Sequence, residues 1–499
     1  MKLYNTDQIK AWDQTTLRDK NISSLELMEI AANVFSKRFI ELFDVTSPIS
    51  VFCGCGNNGG DGLAIARILN MRGYEVQVWL ADFGQSKSPD FIANLQRLPA
   101  FGHIPLFSID MKEPPTLQPD AIIIDALLGT GINRPVEGPM EDLIHWLNSL
   151  NHKIIAVDIP SGLYGDRHCD CAIHAHHTIT FQVPKISFLL PSYEQYTGSW
   201  EIADIGLVPS FNLHTQTNYY LTEHALIKAL ITRRKKFSHK GNFGHALLVN
   251  GSHGKGGAAI LASRACLRSG VGLLTAHVPV NLYQIIQTSV PEAMASVDEH
   301  DYYWSSLPTE LDKYSAIGVG CGINQKESTE RAFRSLLEIS RVRMVIDADG
   351  INLMSKHKDL LDKIPVGSIL TPHLKEFERL FGPSSSCFDR LEKLRQRAVQ
   401  HQVTILLKGA YSAVASPDGT IHFNSTGNPG MATGGTGDVL TGILTSLLAQ
   451  GYDSQSAALI GVYVHGLAGD LAYQHSCYES IIASDLVDHL GRAFHSILN

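Results

Sequence analysis

Two glycine-rich stretches are the parts of the sequence whose residue types and spacing could do chemistry. Residues 54–62 read Gly-Cys-Gly-Asn-Asn-Gly-Gly-Asp-Gly, and residues 424–438 end in Gly-Gly-Thr-Gly-Asp. Glycines that open a helix let backbone N–H groups approach a phosphate at the positive end of the helix dipole. The second stretch closes on Asp438, whose carboxylate in the first helical turn can accept a proton from a substrate hydroxyl. Both stretches predict an anion-binding turn, and the second also predicts a general base.

Polar loops follow two further apolar runs in the first half of the chain. Asp125 precedes a loop that extends to Pro135, and Asp158 precedes Ile159-Pro160-Ser161-Gly162. Because ligands bind beyond the carboxyl ends of parallel strands, these loops and the first glycine stretch are expected to converge there. Carboxylate, amide and hydroxyl oxygens are hard ligands, so the loops favour an alkali or alkaline-earth cation over zinc.

Each of these features also has a purely structural explanation. Taken as Gly54, Gly56 and Gly59, a G-x-G-x-x-G pattern alone is weak evidence for nucleotide binding. Glycines can serve only the geometry of a tight turn, and an aspartate that follows a strand is often a helix cap or a loop brace. The length of the first glycine stretch and the convergence of polar loops favour a binding site over these explanations.

The elements that must position these loops have the pattern of an α/β protein. Continuous apolar strands separated by helices are typical of a parallel sheet covered on both faces. The apolar runs that predict strands are residues 49–52, 76–80, 121–125, 154–158, 245–249, 343–347 and 403–408. Residues 8–43 predict a helical N-terminus that packs on the first sheet or forms a subunit contact. After Gly437, the pairs Ile443-Leu444 and Leu447-Leu448 recur at helical spacing, which predicts a helix with one buried face.

A change in the hydrophobic pattern of the sequence divides the chain into two predicted domains. Residues 212–220 are polar and aperiodic, and residues 233–236 form a basic run that we interpret as a solvated domain edge. A chain of 499 residues has room for two or three domains. We therefore predict α/β domains at residues 1–218 and 219–499.

Composition restricts the possible partners. The chain is 44% hydrophobic and 18% charged, with a net charge of −8, and its sequence pI is about 6.3. An acidic balance argues against nucleic-acid binding. The scattered cysteines are expected to be reduced thiols, since their C-x-C pairs lack zinc-ribbon spacing. The sequence shows neither an apolar signal-peptide core nor a membrane span, so we predict a soluble, cytoplasmic protein.

The motifs of the first half resemble the YjeF N-terminal family of NAD(P)H-hydrate epimerases over about residues 1–215. The resemblance rests on residues 56–62, on Asp125 with Gly129-Thr130-Gly131, and on residues 158–162. It implies a Rossmann-like parallel-sheet domain and a potassium ion held near Asn58, Asp125 and Ser161. The substrate contacts that it implies are Asn57, Asn58, Gly59, Gly60, Asp61, Gly129, Thr130, Gly131, Ile132, Asn133, Arg134, Pro135 and Asp158.

The reaction catalysed by that family indicates which catalytic side chain to expect in the active site. The substrate carries a hydroxyl on C6 of the reduced nicotinamide ring, and its inversion requires reversible loss of the hydroxyl or ring opening, assisted by proton transfer. A carboxylate near the hydroxyl can serve as general base and acid. Asp158 is our candidate. Lys185 either assists it or makes only a surface or phosphate contact.

The second half resembles the ribokinase-like superfamily through Gly435-Thr436-Gly437-Asp438, and more narrowly its NAD(P)H-hydrate dehydratase branch over about residues 225–499. The motifs that narrow it are residues 239–245, 249–252, 256–258, 320–322, 371–373 and 427–430. In that branch the implied hydrate-site residues are Ala258, Gly322, His373 and Asp438, and the implied nucleotide-binding residues are Lys408, Gly409, Ala410, Tyr411, Ser412 and Gly437. The two residues between His373 and Glu376 depart from the common pattern, which leaves the role of Glu376 open.

Together the two resemblances imply nicotinamide nucleotide repair. One half would epimerise NADHX and NADPHX at C6, and the other would dehydrate the S epimer to NAD(P)H while converting ADP to AMP and phosphate, with Mg²⁺. The alternative is a ribokinase-like vitamin kinase with a nucleotide-binding regulatory N-terminal domain. This alternative stays open because such kinases share the Gly-x-Gly-Asp turn with the dehydratases. We also expect a homo-oligomer without nucleic-acid or membrane partners.

Overall fold

The computed structural model describes residues 1–101 and 104–499. They form two compact units, residues 2–217 and residues 218–499, and Met1 is grouped with the second of these. Both are α/β units built on a sheet of mainly parallel strands. Among the described residues, no helix combines the length and apolar character that crossing a membrane needs. Each of the eight cysteines is a free thiol.

The N-terminal unit is a wholly parallel sheet between helices. The strands of this sheet are β2 (Ile49–Cys53), β3 (Val76–Leu80), β4 (Leu106–Ser108), β5 (Ile122–Ala126), β6 (Ile154–Val157), β7 (His177–Phe181) and β8 (Ser199–Ala203), and β1 (Lys2–Leu3) lies outside it. Its helices are α1 (Thr6–Lys20), α2 (Ser24–Leu42), α3 (Asn57–Met71), α4 (Pro89–Arg97), α5 (Pro139–Ser149), α6 (Glu194–Thr197) and α7 (Ser210–His214). Seven strands lie in the order β4-β3-β2-β5-β6-β7-β8, and every neighbouring pair is parallel.

Alternation along β5 shows why this sheet needs helices on both faces. Ile122 and Ile124 belong to the apolar cluster that includes residues of α2 and α3, whereas Ile123 belongs to the cluster that includes residues of α5. Successive side chains of a strand point to opposite faces, so an uninterrupted apolar run must be covered twice. The sequence prediction of a parallel sheet covered on both faces is therefore correct here.

The helical N-terminus is two helices rather than one. Asn21, in the left-handed conformation at φ 52°, ends α1. Ser23 then starts α2, where its side chain accepts a hydrogen bond from the Glu26 N–H and the Glu26 side chain accepts one in return from the Ser23 N–H. This reciprocal cap satisfies N–H groups that a helix start leaves unpaired.

The C-terminal unit has a larger, mixed sheet. Its strands are β9 (Tyr219–Leu221), β10 (His245–Val249), β11 (Leu273–Val278), β12 (Met294–Val297), β13 (Ala316–Val319), β14 (Met344–Ile346), β15 (Ile369–Leu370), β16 (Thr404–Leu407), β17 (Ala413–Ala415) and β18 (Ile421–Phe423). Their order is β9-β18-β17-β16-β15-β14-β13-β10-β11-β12. The pairs β16–β17 and β17–β18 are antiparallel, and the short β17 and β18 were not predicted from the sequence.

Helices cover this sheet. They are α8 (His224–Leu230), α9 (Gly256–Arg268), α10 (Tyr283–Ser289), α11 (Glu327–Ile339), α12 (Ala348–Lys356), α13 (Leu374–Phe381), α14 (Cys387–His401), α15 (Thr436–Ala449), α16 (Ser454–Tyr473) and α17 (Ala483–Leu498). The prediction of one buried face for α15 is wrong, since every residue from Val439 to Ala449 is buried. A Cβ on Gly442 would collide with the carbonyl oxygen of Ala262 on α9. Helices that approach so closely leave α15 no solvent face.

Candidate active sites

A cavity of about 920 Å³ lies where the loops after the N-terminal strands meet α1 and α2. Eleven of the residues implied as epimerase contacts line it, namely Asn57, Asn58, Asp61, Gly129, Thr130, Gly131, Ile132, Asn133, Arg134, Pro135 and Asp158. Gly59 and Gly60 are buried behind the lining instead. A Cβ on Gly59 would collide with the Gly54 carbonyl oxygen, and one on Gly60 would lie 2.9 Å from Met28 Sδ. Packing therefore requires glycine at position 59, whereas a side chain at position 60 would require the Met28 side chain to move.

The glycine stretch places a helix start at the wall of the cavity. α3 begins at Asn57, and no side chain caps it at Gly56. Both residues line the cavity, and a Cβ on Gly56 would meet nothing within 4 Å. The first N–H groups of a helix have no partner within the helix, and they bind anions readily. The open approach beside them is what a phosphate of a nucleotide substrate needs.

The three residues implied as potassium ligands meet around Leu128. Ser161 donates hydrogen bonds to Asp125 through its hydroxyl at 2.5 Å and its N–H at 2.8 Å. The Leu128 carbonyl accepts from Asn58 Nδ2 at 3.1 Å, and the Leu128 N–H donates to Ser161 Oγ at 2.8 Å. Burial raises the pKa of Asp125 to about 6, although its hydrogen bonds oppose the shift.

This oxygen-rich group fits a hard cation. Asp125 is fully buried, and within residues 1–101 and 104–499 it forms no ion pair with a basic side chain. A buried carboxylate without a counter-charge is costly, and a bound cation would neutralise it. Carboxylate, amide, hydroxyl and carbonyl oxygens are suitable donors for a hard ion.

Asp158 is held in a strained and highly connected position. It follows β6 at φ 65°, a left-handed conformation that non-glycine residues seldom adopt. Its Oδ1 accepts hydrogen bonds from Lys185 Nζ at 2.5 Å and from the Phe181 N–H at 2.8 Å. The Lys185 side chain is only 1% exposed. A surface contact for Lys185 is therefore wrong, and the structure makes it the buried partner of Asp158.

Further carboxylates face this cavity, and sequence reasoning assigned a catalytic role to none of them. Asp13 lines it from α1 and Asp61 from α3. Burial and the charge of Asp158 raise the pKa of Asp13 to about 6, while Lys185 opposes the shift. The same two causes, with Asp13 itself, raise the pKa of Asp61 well above its ordinary value. Asp13 was missed because it lies in a helix, far from any glycine loop or strand end.

The C-terminal site also collects residues from adjacent strand ends. Gly320 to Gly322 follow β13, Asp347 follows β14, His373 follows β15 and Lys408 follows β16. These strands are parallel neighbours, so their carboxyl ends share one edge of the sheet. The sequence motifs that lie far apart in the chain are therefore brought to one place.

An ion pair between Lys408 and Asp347 organises this edge. Lys408 Nζ contacts Asp347 Oδ1 at 2.8 Å, and the Thr441 hydroxyl of α15 donates to Asp347 Oδ2 at 2.9 Å. Burial opposes the charged form of Lys408, but Asp347 outweighs it and raises the pKa of Lys408. Asp347 also caps α12 by accepting the Ala348 N–H at 2.8 Å. The run 343–347, which predicts a strand, ends on Asp347 without indicating this bracing role.

The glycine-rich turn before α15 lies beside that ion pair. Gly435 takes φ 95°, which glycine adopts without strain. A Cβ on Gly437 would lie 3.6 Å from Lys408 Nζ, so the turn and the ammonium are neighbours. Burial, with the charge of Asp347, raises the pKa of Asp438 in the first turn of α15. The arrangement can hold a phosphoryl group between backbone N–H groups and a lysine while a carboxylate accepts a proton.

A buried histidine supports the turn. His465 Nε2 lies 2.9 Å from the Thr436 carbonyl oxygen. Burial lowers the pKa of His465 to about 4, although the hydrogen bond to Thr436 opposes the shift. The neutral ring therefore donates this hydrogen bond across the ordinary pH range, and it fixes the start of α15. No sequence motif indicated His465.

The remaining implied residues lie on the same edge, and they have distinct local roles. A Cβ on Gly322 would lie 3.3 Å from that of Ala258, so these two residues are neighbours. His373 caps α13 by accepting the Glu376 N–H, and Glu376 accepts the His373 N–H at 2.9 Å. This reciprocal cap gives Glu376 a structural role. Lys408, Gly409, Ala410, Tyr411 and Ser412 join β16 to β17 in a tight loop.

The fold and the two sites define a two-domain α/β enzyme of nucleotide chemistry. Comparisons with known proteins narrow this class. The model of the YjeF-related protein N-terminus matches residues 24–187, and the model of NAD(P)H-hydrate dehydratase matches residues 246–492. The bifunctional NAD(P)H-hydrate repair enzyme Nnr of Moorella thermoacetica is 36% identical over 459 residues, which are 89% of this chain and 86% of that protein. The chain belongs to the family of bifunctional NAD(P)H-hydrate repair enzymes.

Solved structures agree for the C-terminal unit. The ADP/ATP-dependent NAD(P)H-hydrate dehydratase of Bacillus subtilis, co-crystallised with ATP and Mg²⁺, is 32% identical, with a TM-score of 0.50 over 56% of this chain and all of that one. A ribokinase-like superfamily protein from Enterococcus faecalis is 26% identical, with a TM-score of 0.50 over 57% and 98% of the two chains. The predicted fold class, enzyme class and metabolite-repair function are confirmed.

Proposed function

We propose that the N-terminal unit is the NAD(P)H-hydrate epimerase and that the C-terminal unit is the ADP-dependent dehydratase of the S epimer. The unit at residues 2–217 contains the match to the YjeF-related family, and the unit at 218–499 contains the match to the dehydratase family. The observation that carries the proposal is the turn before α15, where backbone N–H groups, Lys408 and Asp438 are placed together.

In the dehydratase, Asp438 accepts the proton of the C6 hydroxyl as that oxygen takes a phosphoryl group from ADP. The N–H groups ahead of α15 and the ammonium of Lys408 stabilise the phosphoryl oxygens. The ring-nitrogen lone pair then expels phosphate, and loss of a C5 proton restores the double bond. The raised pKa of Asp438 suits a base that must accept a proton near neutral pH. Mg²⁺, bound with the nucleotide, would supply further positive charge.

ADP is the proposed phosphoryl donor, and NADHX and NADPHX are the proposed hydrates. The Bacillus subtilis neighbour, which is described as ADP/ATP-dependent, supports a nucleotide in this site. For the nucleotide we propose Lys408 to Ser412 with Gly437, and for the hydrate Ala258, Gly322, His373 and Asp438. The placement of these residues around one sheet edge supports both assignments.

In the epimerase, Asp158 is the proposed acid–base group at C6, and Lys185 holds it in place. The helix start at Asn57 and the loop from Gly129 to Pro135 would hold the remainder of the nucleotide. Asn58, Asp125 and Ser161 would hold K⁺, which would neutralise the buried carboxylate beneath the cavity. Assembly as a homo-oligomer and a cytoplasmic location stay predictions.

A single mixture tests the dehydratase assignment. The protein is incubated with both C6 epimers of NADHX, ADP and Mg²⁺, and absorbance of the reduced nicotinamide is followed together with free phosphate. We expect the absorbance to return with one phosphate released per hydrate. A persistent phosphorylated product without absorbance would instead support the vitamin-kinase alternative. Replacing ADP by ATP in a parallel reaction measures the nucleotide preference.

The epimerase is tested by supplying only the R epimer. We expect conversion to NADH faster than spontaneous epimerisation, which a matched reaction with an isolated dehydratase measures. Equal rates in the two reactions would contradict the epimerase assignment.

A further inference from the structure

The N-terminal cavity contains more carboxylates than the proposed mechanism uses. Asp13, Asp61, Asp90 and Asp158 all line it, and Asp158 alone of these is paired with a lysine in the described residues. Like charges that share a desolvated site favour retention of protons by some of them. Which carboxyl group keeps a proton decides which can act as an acid.

Asp13 is the carboxyl group that stands apart. It projects from α1, which forms a wall of the cavity with Lys10, Gln14 and Leu17. No hydrogen bond or ion pair of the Asp13 carboxylate is found among the described residues, although the residue is half-buried. A partly desolvated carboxylate without a hydrogen-bond partner or a counter-ion lowers the stability of the folded state, and such groups concentrate at functional sites.

We propose that Asp13 is a second catalytic residue of the epimerase, which gives a proton to the departing C6 hydroxyl while Asp158 receives one from the incoming water. The proposal rests on the epimerase function proposed above. Asp158, bound to the Lys185 ammonium, is suited to be the ionised partner. Asp13 has no such counter-ion and is suited to be the protonated one. The two groups lie on separate walls, α1 and the sheet edge.

The step balances in atoms and charge. Protonated Asp13 donates its proton to the C6 hydroxyl oxygen, the C6–O bond breaks, and water leaves. The lone pair of the ring nitrogen forms the N1=C6 iminium ion. Water then attacks C6 from the other face and gives a proton to the Asp158 carboxylate. The reverse reaction starts with the two carboxyl groups in exchanged states, so one site serves both epimers.

The other titratable groups of the cavity define the electrostatic setting of Asp13. Burial and the charge of Asp158 raise the pKa of Asp13 to about 6, and Lys185 opposes them. Burial, with the charges of Asp158, Asp13 and Asp90, also raises the pKa of Asp61, which suits that carboxyl group to donate a hydrogen bond. The remaining charged groups that line the cavity are Lys10, Asp90, Arg134 and Glu137.

The test compares Asp13→Asn with Asp7→Asn, an exposed carboxylate on the same helix. Epimerisation of the R epimer is measured as a function of pH, in ordinary water and in ¹⁸O-labelled water, with the enzyme-free rate subtracted. For the unsubstituted protein we expect ¹⁸O to enter C6 and the rate to fall as the pH rises past about 6 and deprotonates Asp13.

In Asp13→Asn we expect a loss of about 100-fold or more in rate and disappearance of that pH dependence, with Asp7→Asn unaffected. The thermal midpoint of Asp13→Asn is expected to stay equal or rise, because a desolvated charge is removed; a residue needed only for structure would lower it. Dehydration of the S epimer is expected to be unchanged.

The possible failures can be told apart. If the unsubstituted protein does not accelerate epimerisation, the proposed function of this unit is wrong. If it does, but Asp13→Asn keeps the rate and the pH profile, or no ¹⁸O enters C6, the role of Asp13 is wrong and the epimerase assignment stands.

Discussion

The two sites occupy the same position on two different sheets, but they are built from different chemical groups. The N-terminal site surrounds a cavity with carboxylates, and among the described residues only Asp158 of these forms an ion pair with Lys185. The C-terminal site places backbone N–H groups at the start of α15, and its buried carboxylate Asp347 is paired with Lys408. Carboxylates of unequal protonation suit proton transfer, whereas N–H groups and a lysine suit phosphoryl transfer. Sites at the strand ends of two different sheets thus support two chemistries, because the groups placed there differ.

The largest expected effect is on dehydration in Asp438→Asn. The amide keeps the size of the side chain but cannot accept the hydroxyl proton, so we expect the rate to fall by about 10²–10⁴-fold. Nucleotide binding should be largely kept, because the N–H groups and Lys408 are untouched. The absorbance assay with ADP measures the first effect, and calorimetric titration with ADP measures the second.

Glu479→Gln is the matched control, since Glu479 is an exposed carboxylate of the same unit. It should leave both quantities unchanged. If Asp438→Asn also slowed epimerisation, the assignment of the two reactions to separate sites would be wrong. If it dehydrated the S epimer at the unsubstituted rate, the role of Asp438 as the base would be wrong.

The reciprocal change is Asp158→Asn in the N-terminal site. We expect epimerisation to fall by about 10²–10⁴-fold while dehydration of pure S epimer continues. The substitution also leaves the Lys185 ammonium buried without its partner, which can cost about 3 kcal/mol of folding stability. The double variant Asp158→Asn/Lys185→Met separates the two effects, because it removes the stranded charge.

Stability recovered without activity in the double variant would support a chemical role for Asp158. If the double variant regained epimerisation, Asp158 would have only a structural role. The N-terminal site would then lack its proposed proton-transfer group. Circular dichroism on heating and the R-epimer assay provide the two readouts.

Part of both sites was predictable from the sequence, because glycine-rich turns and strand-end aspartates are local signals. The positions of Asp125, Asp158, Asp347 and Asp438 at strand ends or a helix start follow from such patterns. Apolar runs also predicted the strands that carry them. Short antiparallel strands such as β17 gave no comparable signal, since three residues are too few to show a period.

The rest of the sites depends on contacts between distant parts of the chain. Asp13 and His465 lie in helices whose sequences give no hint of a cavity or of a turn that needs support. The complete burial of α15 depends on close approach to α9 at Gly442, where a Cβ would collide with Ala262. Residue type and spacing indicate local chemistry, but tertiary packing decides which ordinary helix residue takes part.

A smaller effect is expected within the first glycine stretch, where two glycines have different roles. A Cβ on Gly54 would collide with the Leu127 carbonyl oxygen, whereas one on Gly56 would meet nothing within 4 Å. We expect Gly54→Ala to destabilise the N-terminal unit by about 3 kcal/mol. Gly56→Ala should fold normally and weaken substrate binding. Urea unfolding and the Michaelis constant for the R epimer measure these outcomes, and equal stabilities would contradict the packing role of Gly54.

The smallest expected effect concerns Asp125, the buried carboxylate beneath the cavity, which lacks a lysine partner among the described residues, whereas Asp347 of the C-terminal site is paired with Lys408. Burial raises the pKa of Asp125 to about 6 in the folded protein, whereas an unfolded aspartate titrates near ~3.9. Between these values the folded state binds more protons than the unfolded state. From Asp125 alone, stability therefore falls as the pH rises from about 4 to about 6, and the loss persists above that range.

Potassium should offset this loss where the carboxylate is ionised. We expect K⁺ to raise the unfolding midpoint of the N-terminal unit at about pH 7.5 and to have little effect at about pH 5, where the protonated Asp125 needs no cation. Choline at equal ionic strength is the control, and Asp125→Asn should abolish the K⁺ effect. Stabilisation by choline of equal size, or a K⁺ effect that survives Asp125→Asn, would show that this oxygen cluster holds no cation. The two sites would then differ only in how they move protons and phosphoryl groups.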